Sequence, residues 1–361
     1  MNKPKKFFEC LLPVTICNLR CPYCYIIQEN RRKMNYAELK FSPEHIAKAL
    51  RKERVGGVSW ISICGAGETL AQKEIVDIVY YILKEGHYVN ITTNGTLTNQ
   101  IKQILGKCND YLVRLHFSFS FHYTELVRLN LIDVFFSNLT LVKESGASFL
   151  YQINLCDEYV PYIEEIKALS LERVGSLPQV ALTRNESSRP FSIWTSMTDQ
   201  EYYDLGHSFD SELFEFTYKN FNVKRTEFCY AGDWSFVLNL QTGWLTQCYA
   251  NCEGQNIFDD LNSPIKLTAV GKRCNNLYCV NSSHFMSLGV IPEIQTPSYA
   301  ALRCRENSDW YSKEMYEFLN SKLFETNKQY GFIKRWKISG NQEIYRSVRR
   351  KLYSLKKKII G

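Results

Sequence analysis

The sequence predicts an α/β fold organised around a parallel sheet or partial barrel, and three observations carry that expectation. In the first half, six short β-branched or aromatic runs alternate with stretches of helical periodicity. The turns after successive runs are polar or cysteine-rich, as at the ligand-binding rim of a parallel sheet. Hydrophobic residues make up 45% and charged residues 22% of the chain, a globular balance that excludes disorder.

Phe7–Val14 reads as the first strand, a short apolar run broken by Glu9, and it ends at the loop CNLRCPYCY from Cys17 to Tyr25. Ser42–Lys52 is a helix, with Ser42 as N-cap and Pro43 in the first turn. Val58–Cys64 is the second strand, followed by the turn GAGE and a helix from Ala71 to Glu85. Tyr88–Thr93 is the third, stopping at Asn94-Gly95 before a helix that runs to about Lys107. Tyr111–Phe121 is the fourth strand, and Ile132–Glu144 is a helix with Gly146 as its stop. Ser148–Leu155, a helix over Pro161–Leu171 and Leu177–Thr183 complete the series. Loops at the carboxyl ends of parallel strands converge. The cysteine loop, GAGE, Thr93-Asn94-Gly95 and Ser118–His122 are therefore expected on one rim, where they define a site.

No run of about 18 apolar residues appears, so no membrane span is expected. The apolar stretch at the N-terminus is too short for a cleavable signal, and the chain reads as cytoplasmic. Thirteen cysteines are many for a reducing compartment. Cys10, Cys64, Cys108 and Cys156 stand alone in strand-like surroundings and read as small buried hydrophobes. Cys17, Cys21 and Cys24 form a tight triplet. Three thiolates can hold zinc with a fourth ligand, but the first histidine is His45, and zinc cysteines tend to come as two separated pairs. An iron–sulfur cluster prefers thiolates, and one held by three has an iron free for another ligand.

CNLRCPYC resembles the cluster motif of the radical S-adenosylmethionine (radical SAM) superfamily, including the aromatic Tyr23 before the third cysteine. GAGET (Gly65–Thr69) resembles the family's Gly-Gly-Glu motif, with Ala66 in place of a glycine, and ITTNG (Ile91–Gly95) its segment after the third strand. The resemblance covers roughly residues 7–185 and implies a partial (β/α)6 TIM-like barrel. It implies that Cys17, Cys21 and Cys24 bind a 4Fe–4S cluster whose fourth iron is chelated by S-adenosylmethionine. Reductive cleavage then yields a 5′-deoxyadenosyl radical that abstracts hydrogen from a substrate. Gly65, Ala66, Gly67 and Glu68 are the implied contacts of the methionine ammonium. Thr93, Asn94, Ser118 and Asn154 are those of the ribose or carboxylate, Tyr23 of adenine and Arg184 of the methionine carboxylate. An electron donor such as flavodoxin or ferredoxin is implied as a partner.

Beyond residue 225, two β-runs flank Gln241-Thr242-Gly243 as a hairpin that brings Cys229 and Cys248 together. This spacing resembles the opening of the SPASM and twitch domains that carry auxiliary clusters. With Cys274 and Cys279 it implies a second 4Fe–4S cluster. Cys252 is the substitute ligand, and structural zinc with His284 is the alternative. Residues Lys334–Gly361 hold ten Lys or Arg and one acid, a local +9 that leaves the rest of the chain at −2. Ile344, Val348, Leu352, Leu355 and Ile359 line one helical face. Such a helix suits a membrane surface, here the inner face, or an acidic partner; no nucleic-acid module accompanies it.

The expected division is a barrel over 1–190, a linker over 191–225, an auxiliary iron–sulfur domain of β-hairpin plus helices over 226–308, and a helical segment over 309–361. The leading substrate is a peptide or protein. Many peptide-modifying relatives carry a leader-recognition module before the barrel, and none is expected in the 16 residues ahead of Cys17. The alternative substrate is a sugar, lipid-linked glycan or small metabolite, modified by oxidation, epimerisation or dehydration. The alternative from another class is a non-catalytic iron–sulfur electron-transfer protein.

Overall fold

A computed structural model describes residues 2–340 except 189, 273, 275, 277, 278, 280, 281 and 307, with backbone alone at 251, 252 and 282. The six expected strands form and pair in parallel in chain order: β1 (Lys6–Leu12), β2 (Ser59–Gly65), β3 (Tyr88–Thr93), β4 (Leu115–Ser120), β5 (Ser148–Leu155) and β6 (Gln179–Leu182). Between them lie α1 (Pro43–Ala49), α2 (Ile75–Lys84), α3 (Thr98–Lys107), α4 (Ile132–Ser145) and α5 (Ile163–Val174). Ser42 caps α1 by accepting from the His45 amide, and Gly146 ends α4 at φ 87°, a conformation that favours glycine.

One face of the sheet carries Phe8, Ile61, Ile63, Val89, Ile91, Phe117 and Phe119, all fully buried. The Phe119 ring meets Phe135 of α4 edge-on at 5.8 Å, so this is the helix-covered face. The opposite face carries Glu9, Ser62, Asn90, His116 and Ser118, which hydrogen-bond to one another across the strands. Element boundaries shift where local turns intervene. The fourth strand begins at Leu115 because Asn109–Arg114 coil as a 3-10 helix. The second helix begins at Ile75 because Glu68 caps a separate turn over Thr69–Ala71.

The expected hairpin forms, as β7 (Ser235–Asn239) and β8 (Trp244–Cys248), joined by β9 (Asn251–Asn256). It does not stand apart: β7 pairs in parallel with β1, giving one nine-stranded sheet ordered β9-β8-β7-β1 through β6. An open barrel leaves an unpaired edge on its first strand, and β7 covers it. Residues 191–225, expected as a linker, hold two helices, α6 (Asp199–His207) and α7 (Glu212–Asn220). Ser211, the N-cap of α7, accepts from the Val180 amide and donates to Gln179, which fastens α7 to β6. Tyr202 of α6 donates to the Leu155 carbonyl at 3.0 Å.

Residues 298–320 close the end of the barrel where the strands begin. Tyr299 packs on Trp60, Tyr311 on His116 and Phe318 on Tyr88, whose hydroxyl donates to Glu314. Trp310 packs on Phe149 and Tyr151 at 5.6 and 5.1 Å and accepts from the Phe149 amide. Residues 332–340 are helical, with Phe332, Ile333 and Trp336 exposed; the rest of the basic tail, 341–361, lies outside the described residues. Among the described residues no helix is long and apolar enough to cross a membrane.

Because Trp310 is 1% exposed and seals this end, Trp310→Ala is expected to cost roughly 3–5 kcal/mol. Denaturant unfolding of the full chain checks this; a loss below about 1 kcal/mol would show that the plug does not support the barrel.

Candidate functional site

The cysteine loop follows β1, GAGE follows β2, Thr93-Asn94-Gly95 ends β3 and Ser118–His122 ends β4, so all four share the carboxyl rim of the sheet. Backbone bonds lace the first two together. The amides of Ala66, Gly67 and Glu68 donate to the carbonyls of Leu12, Val14 and Ile16. A Cβ on Gly67 would lie 2.3 Å from the Ile16 carbonyl oxygen, which explains the glycine there.

Glu68 is buried and ties the second turn to the third strand. Its Oε1 accepts from the Thr93 hydroxyl at 2.6 Å and the Leu70 amide at 2.9 Å, and its Oε2 from the Asn94 amide at 2.7 Å. Burial raises its pKa, and these three donors oppose the rise. A carboxylate has about four acceptor positions, so one remains for an ammonium. The Asn94 side chain donates to Asn18 at 2.8 Å and lies 3.8 Å from Cys17 Sγ, and Asn18 donates to Thr96.

Cys17 and Cys24 are partly exposed and Cys21 is buried. Burial pushes the Cys17 thiol up to about 11, against a backbone bond from Leu19, and raises Cys21 as well. Cys17 feels the charge of Cys24, and Cys21 that of both Cys17 and Cys24. Three neighbouring thiols with an open side suit a cluster with one free iron. Among the described residues no three His, Cys, Asp or Glu close to hold a single metal ion. Zinc would draw its sulfurs to about 4 Å apart, given Zn–S bonds of about 2.3 Å; a four-iron cluster is wider.

Tyr23 lies beneath the loop, 5% exposed, its hydroxyl 2.7 Å from His122 Nδ1 and 2.6 Å from the Tyr159 hydroxyl. Burial depresses His122 to about 4, so the ring is neutral and fits this role. Ser118 donates to Asn90 at 2.9 Å. Asn154, on β5, makes no side-chain hydrogen bond among the described residues and is partly exposed. Arg184 lies past the end of β6, in a short ribbon, where Nε donates to Glu186 at 3.0 Å. Gln28 donates to the Tyr23 and Arg184 carbonyls, linking the cysteine loop to that ribbon.

The second cysteine set also comes together. Cys229 is partly exposed, but desolvation of its sulfur raises the thiol, and Cys248, Cys279 and Cys274 add to the rise by their charge. Amides of Ala231 and Ala250 point at the sulfurs of Cys229 and Cys248 at 3.5 and 3.4 Å. The Cys252 side chain lies outside the described residues. His284 instead faces Glu9 of β1, Nδ1 to Oε2 at 3.2 Å. Cys64, expected as a buried hydrophobe, is partly exposed and donates to the same carboxylate at 3.5 Å.

Residues 11–153 match the family described as the Radical SAM superfamily. The chain carries a radical SAM domain. Such a domain implies a 4Fe–4S cluster and S-adenosylmethionine, and the residues on the rim fit both. A 7-carboxy-7-deazaguanine synthase of Aquifex aeolicus is 32% identical over 81 residues, 22% of this chain and 33% of that protein. The chain thus spans about a third of that curated relative. Among solved structures, SuiB of Streptococcus suis bound to S-adenosylmethionine aligns with TM-score 0.51 at 17% identity, covering 72% of this chain and 64% of that one. SuiB bound to its precursor peptide SuiA aligns with TM-score 0.51 at 16% identity, over 87% and 76%. At this identity they show the shared fold.

The sequence signals did not single out Asn90, Asn18, Thr96 and Tyr159, which hold the rim through tertiary contacts, and they placed His122 on the rim without its bond to Tyr23. Gly67→Ala is expected to displace the cysteine-loop backbone at a cost of about 1–3 kcal/mol, roughly tenfold or more in S-adenosylmethionine affinity. Gly106→Ala, with nothing within 4 Å, is the control and is expected to leave affinity unchanged. Equilibrium binding to the cluster-loaded protein reads both.

Proposed function

We propose that the chain is a radical SAM enzyme in which Cys17, Cys21 and Cys24 hold the 4Fe–4S cluster and the rim residues hold S-adenosylmethionine. The observation that carries it is the convergence of the three thiols, Glu68 and Asn94 on one rim of a parallel barrel. When bound, the cluster and S-adenosylmethionine supply an electron and a 5′-deoxyadenosyl radical that takes hydrogen from a C–H bond of the substrate. The protein's part is to bind and orient. Glu68 offers its remaining acceptor position to the methionine ammonium, and Gly65, Ala66 and Gly67 admit that group to the backbone. Thr93, Asn94, Ser118 and Asn154 supply polar contacts to ribose or carboxylate. Tyr23 supports the adenine side, and Arg184, already beside Glu186, completes the carboxylate side.

Cys229, Cys248, Cys274 and Cys279 bind a second 4Fe–4S cluster in this reading, with the barrel over 1–190 and an auxiliary domain over 226–308. With four protein ligands, it accepts or relays electrons. A flavodoxin or ferredoxin delivers the reducing electron, in a cytoplasmic setting that keeps thiols reduced. A peptide or protein is the leading substrate; the fold shared with a protein that binds a precursor peptide supports it. The basic residues 334–361 add contact with an anionic surface.

Anaerobic reconstitution is expected to give about eight irons per chain, falling to about four in Cys229→Ala/Cys248→Ala and in Cys17→Ala/Cys24→Ala. Only the second pair is expected to abolish 5′-deoxyadenosine formation from S-adenosylmethionine under strong reductant. Retained formation there would overturn the assignment of the triplet, whereas no formation by the loaded wild type would favour an electron carrier. Extracts of the source organism are expected to stimulate formation, and protease treatment to remove the stimulation. Stimulation that survives protease would replace the peptide with a glycan, lipid-linked or small-metabolite substrate.

A further inference from the structure

The concave face of the sheet carries a buried polar belt that cluster and S-adenosylmethionine binding leave unused in part. Glu9 Oε1 accepts from Ser62 Oγ at 3.4 Å and Cys64 Sγ at 3.5 Å. Ser62 accepts from Asn90, and Asn90 Oδ1 accepts from Ser118 while lying 2.7 Å from His116 Nδ1. Glu9 is 3% exposed, yet its Oε2 has no hydrogen bond. His284 Nδ1 lies 3.2 Å away, a contact that becomes an ion pair only when the ring is protonated. Burial, then the charge of Arg303, lowers the pKa of His284, against the opposing pull of Glu9. No Lys or Arg of the described residues pairs with Glu9. Arg303 itself donates to the Ser283 carbonyl and lies over the Tyr299 ring at 3.8 Å.

A carboxylate this deep, whose Oε2 meets only the imidazole of His284, is costly, by several kcal/mol when ionised. The position is nonetheless reachable. Cys64 is partly exposed, and Tyr25 and Tyr249 are 41% and 42% exposed. Cys64 Sγ, 3.5 Å from Glu9 Oε1, therefore links the buried carboxylate to the accessible surface past the end of β2.

We infer that Glu9 is a recognition site for a primary ammonium group on the molecule that enters the barrel mouth. An ionised carboxylate only accepts hydrogen bonds. A hydroxyl or amide donor would satisfy Oε2 but leave the buried charge uncompensated, whereas an ammonium does both. This names a substrate class for the activity proposed above and rests on that reading. The site itself can be tested without a known substrate.

The probe is n-butylammonium, with n-pentanol as its uncharged counterpart, titrated against the anaerobic, cluster-loaded enzyme by saturation-transfer-difference NMR. Saturable n-butylammonium binding is expected, about tenfold tighter than n-pentanol and weakened about tenfold in Glu9→Gln. Thermal melting controls for folding, and the wild-type comparison of the two probes needs no variant. Equal binding of the two probes, equal binding to Glu9→Gln, or no saturable binding overturns the site. In parallel, extract with its amines acetylated is expected no longer to stimulate 5′-deoxyadenosine formation; surviving stimulation overturns the substrate class. An enzyme that no extract stimulates counts against the activity reading, and the titration still decides the site.

Discussion

Everything on the rim depends on one buried carboxylate. Glu68 takes donors from Leu70, Thr93 and Asn94, so it locks the turn after β2 to the end of β3. The same turn is laced by backbone bonds to residues 12–16, the segment that leads into the cysteine loop. An ionised carboxylate buried without such donors would cost several kcal/mol, so the burial persists only because three donors meet it. The anchor is also cheap in sequence: Glu68 needs only a tight turn, and Gly67 is the one residue that fits the approach to Ile16.

β1 is the second organising element, because three functions meet on seven residues. Its carboxyl end opens into Cys17, its inner face presents Glu9, and its free edge receives β7 of the second cysteine region. The pairing Glu9 with Ser62 on one side and Val237 on the other fixes the two cysteine regions on one sheet. Placing the hairpin in a separate layer would leave the β1 edge bare, so the fold gains edge protection and site registration by the same contacts.

Much of this was legible in the sequence, for reasons that differ by element. The strands and their helices follow from local periodicity, and the cysteine triplet with GAGET and ITTNG follows from spacing, both short-range signals. The boundary at Leu115 was not legible, because the run from Tyr111 has strand composition while Asn109–Arg114 coils under tertiary packing. Nor was the parallel pairing of β1 with β7, whose partners are more than 220 residues apart and leave no local mark. The helices in 191–225 did leave one: Thr198 and Glu201 form a capping box, and Ser211 caps the next helix. Their apolar faces are short, so composition alone suggested a connection. His122 and Tyr159 support Tyr23 from elements far apart in sequence, and only the fold brings them together.

Glu9 shows how a broken pattern carries information. An acid in the middle of FFECLL interrupts an otherwise apolar strand, and strand alternation sends it to the same face as Phe7 and Leu11. A leucine there would pack the interior at no electrostatic cost, and the neighbouring Ser62, Asn90, His116 and Ser118 would then lose their end partner. The chain instead keeps a row of polar groups across four parallel strands, running from Glu9 to the Ser118 end of the site. Such a row is stable only if each member is satisfied, and most are: Ser62, Asn90 and Ser118 each have partners within the belt. The atoms left over are Oε2 of Glu9 and Nε2 of His116. His116 is depressed by burial to about 3 and is neutral, so its idle nitrogen carries no charge. Glu9 Oε2 meets only His284 Nδ1, at 3.2 Å, so this oxygen is where the belt of the described residues ends without a firm partner.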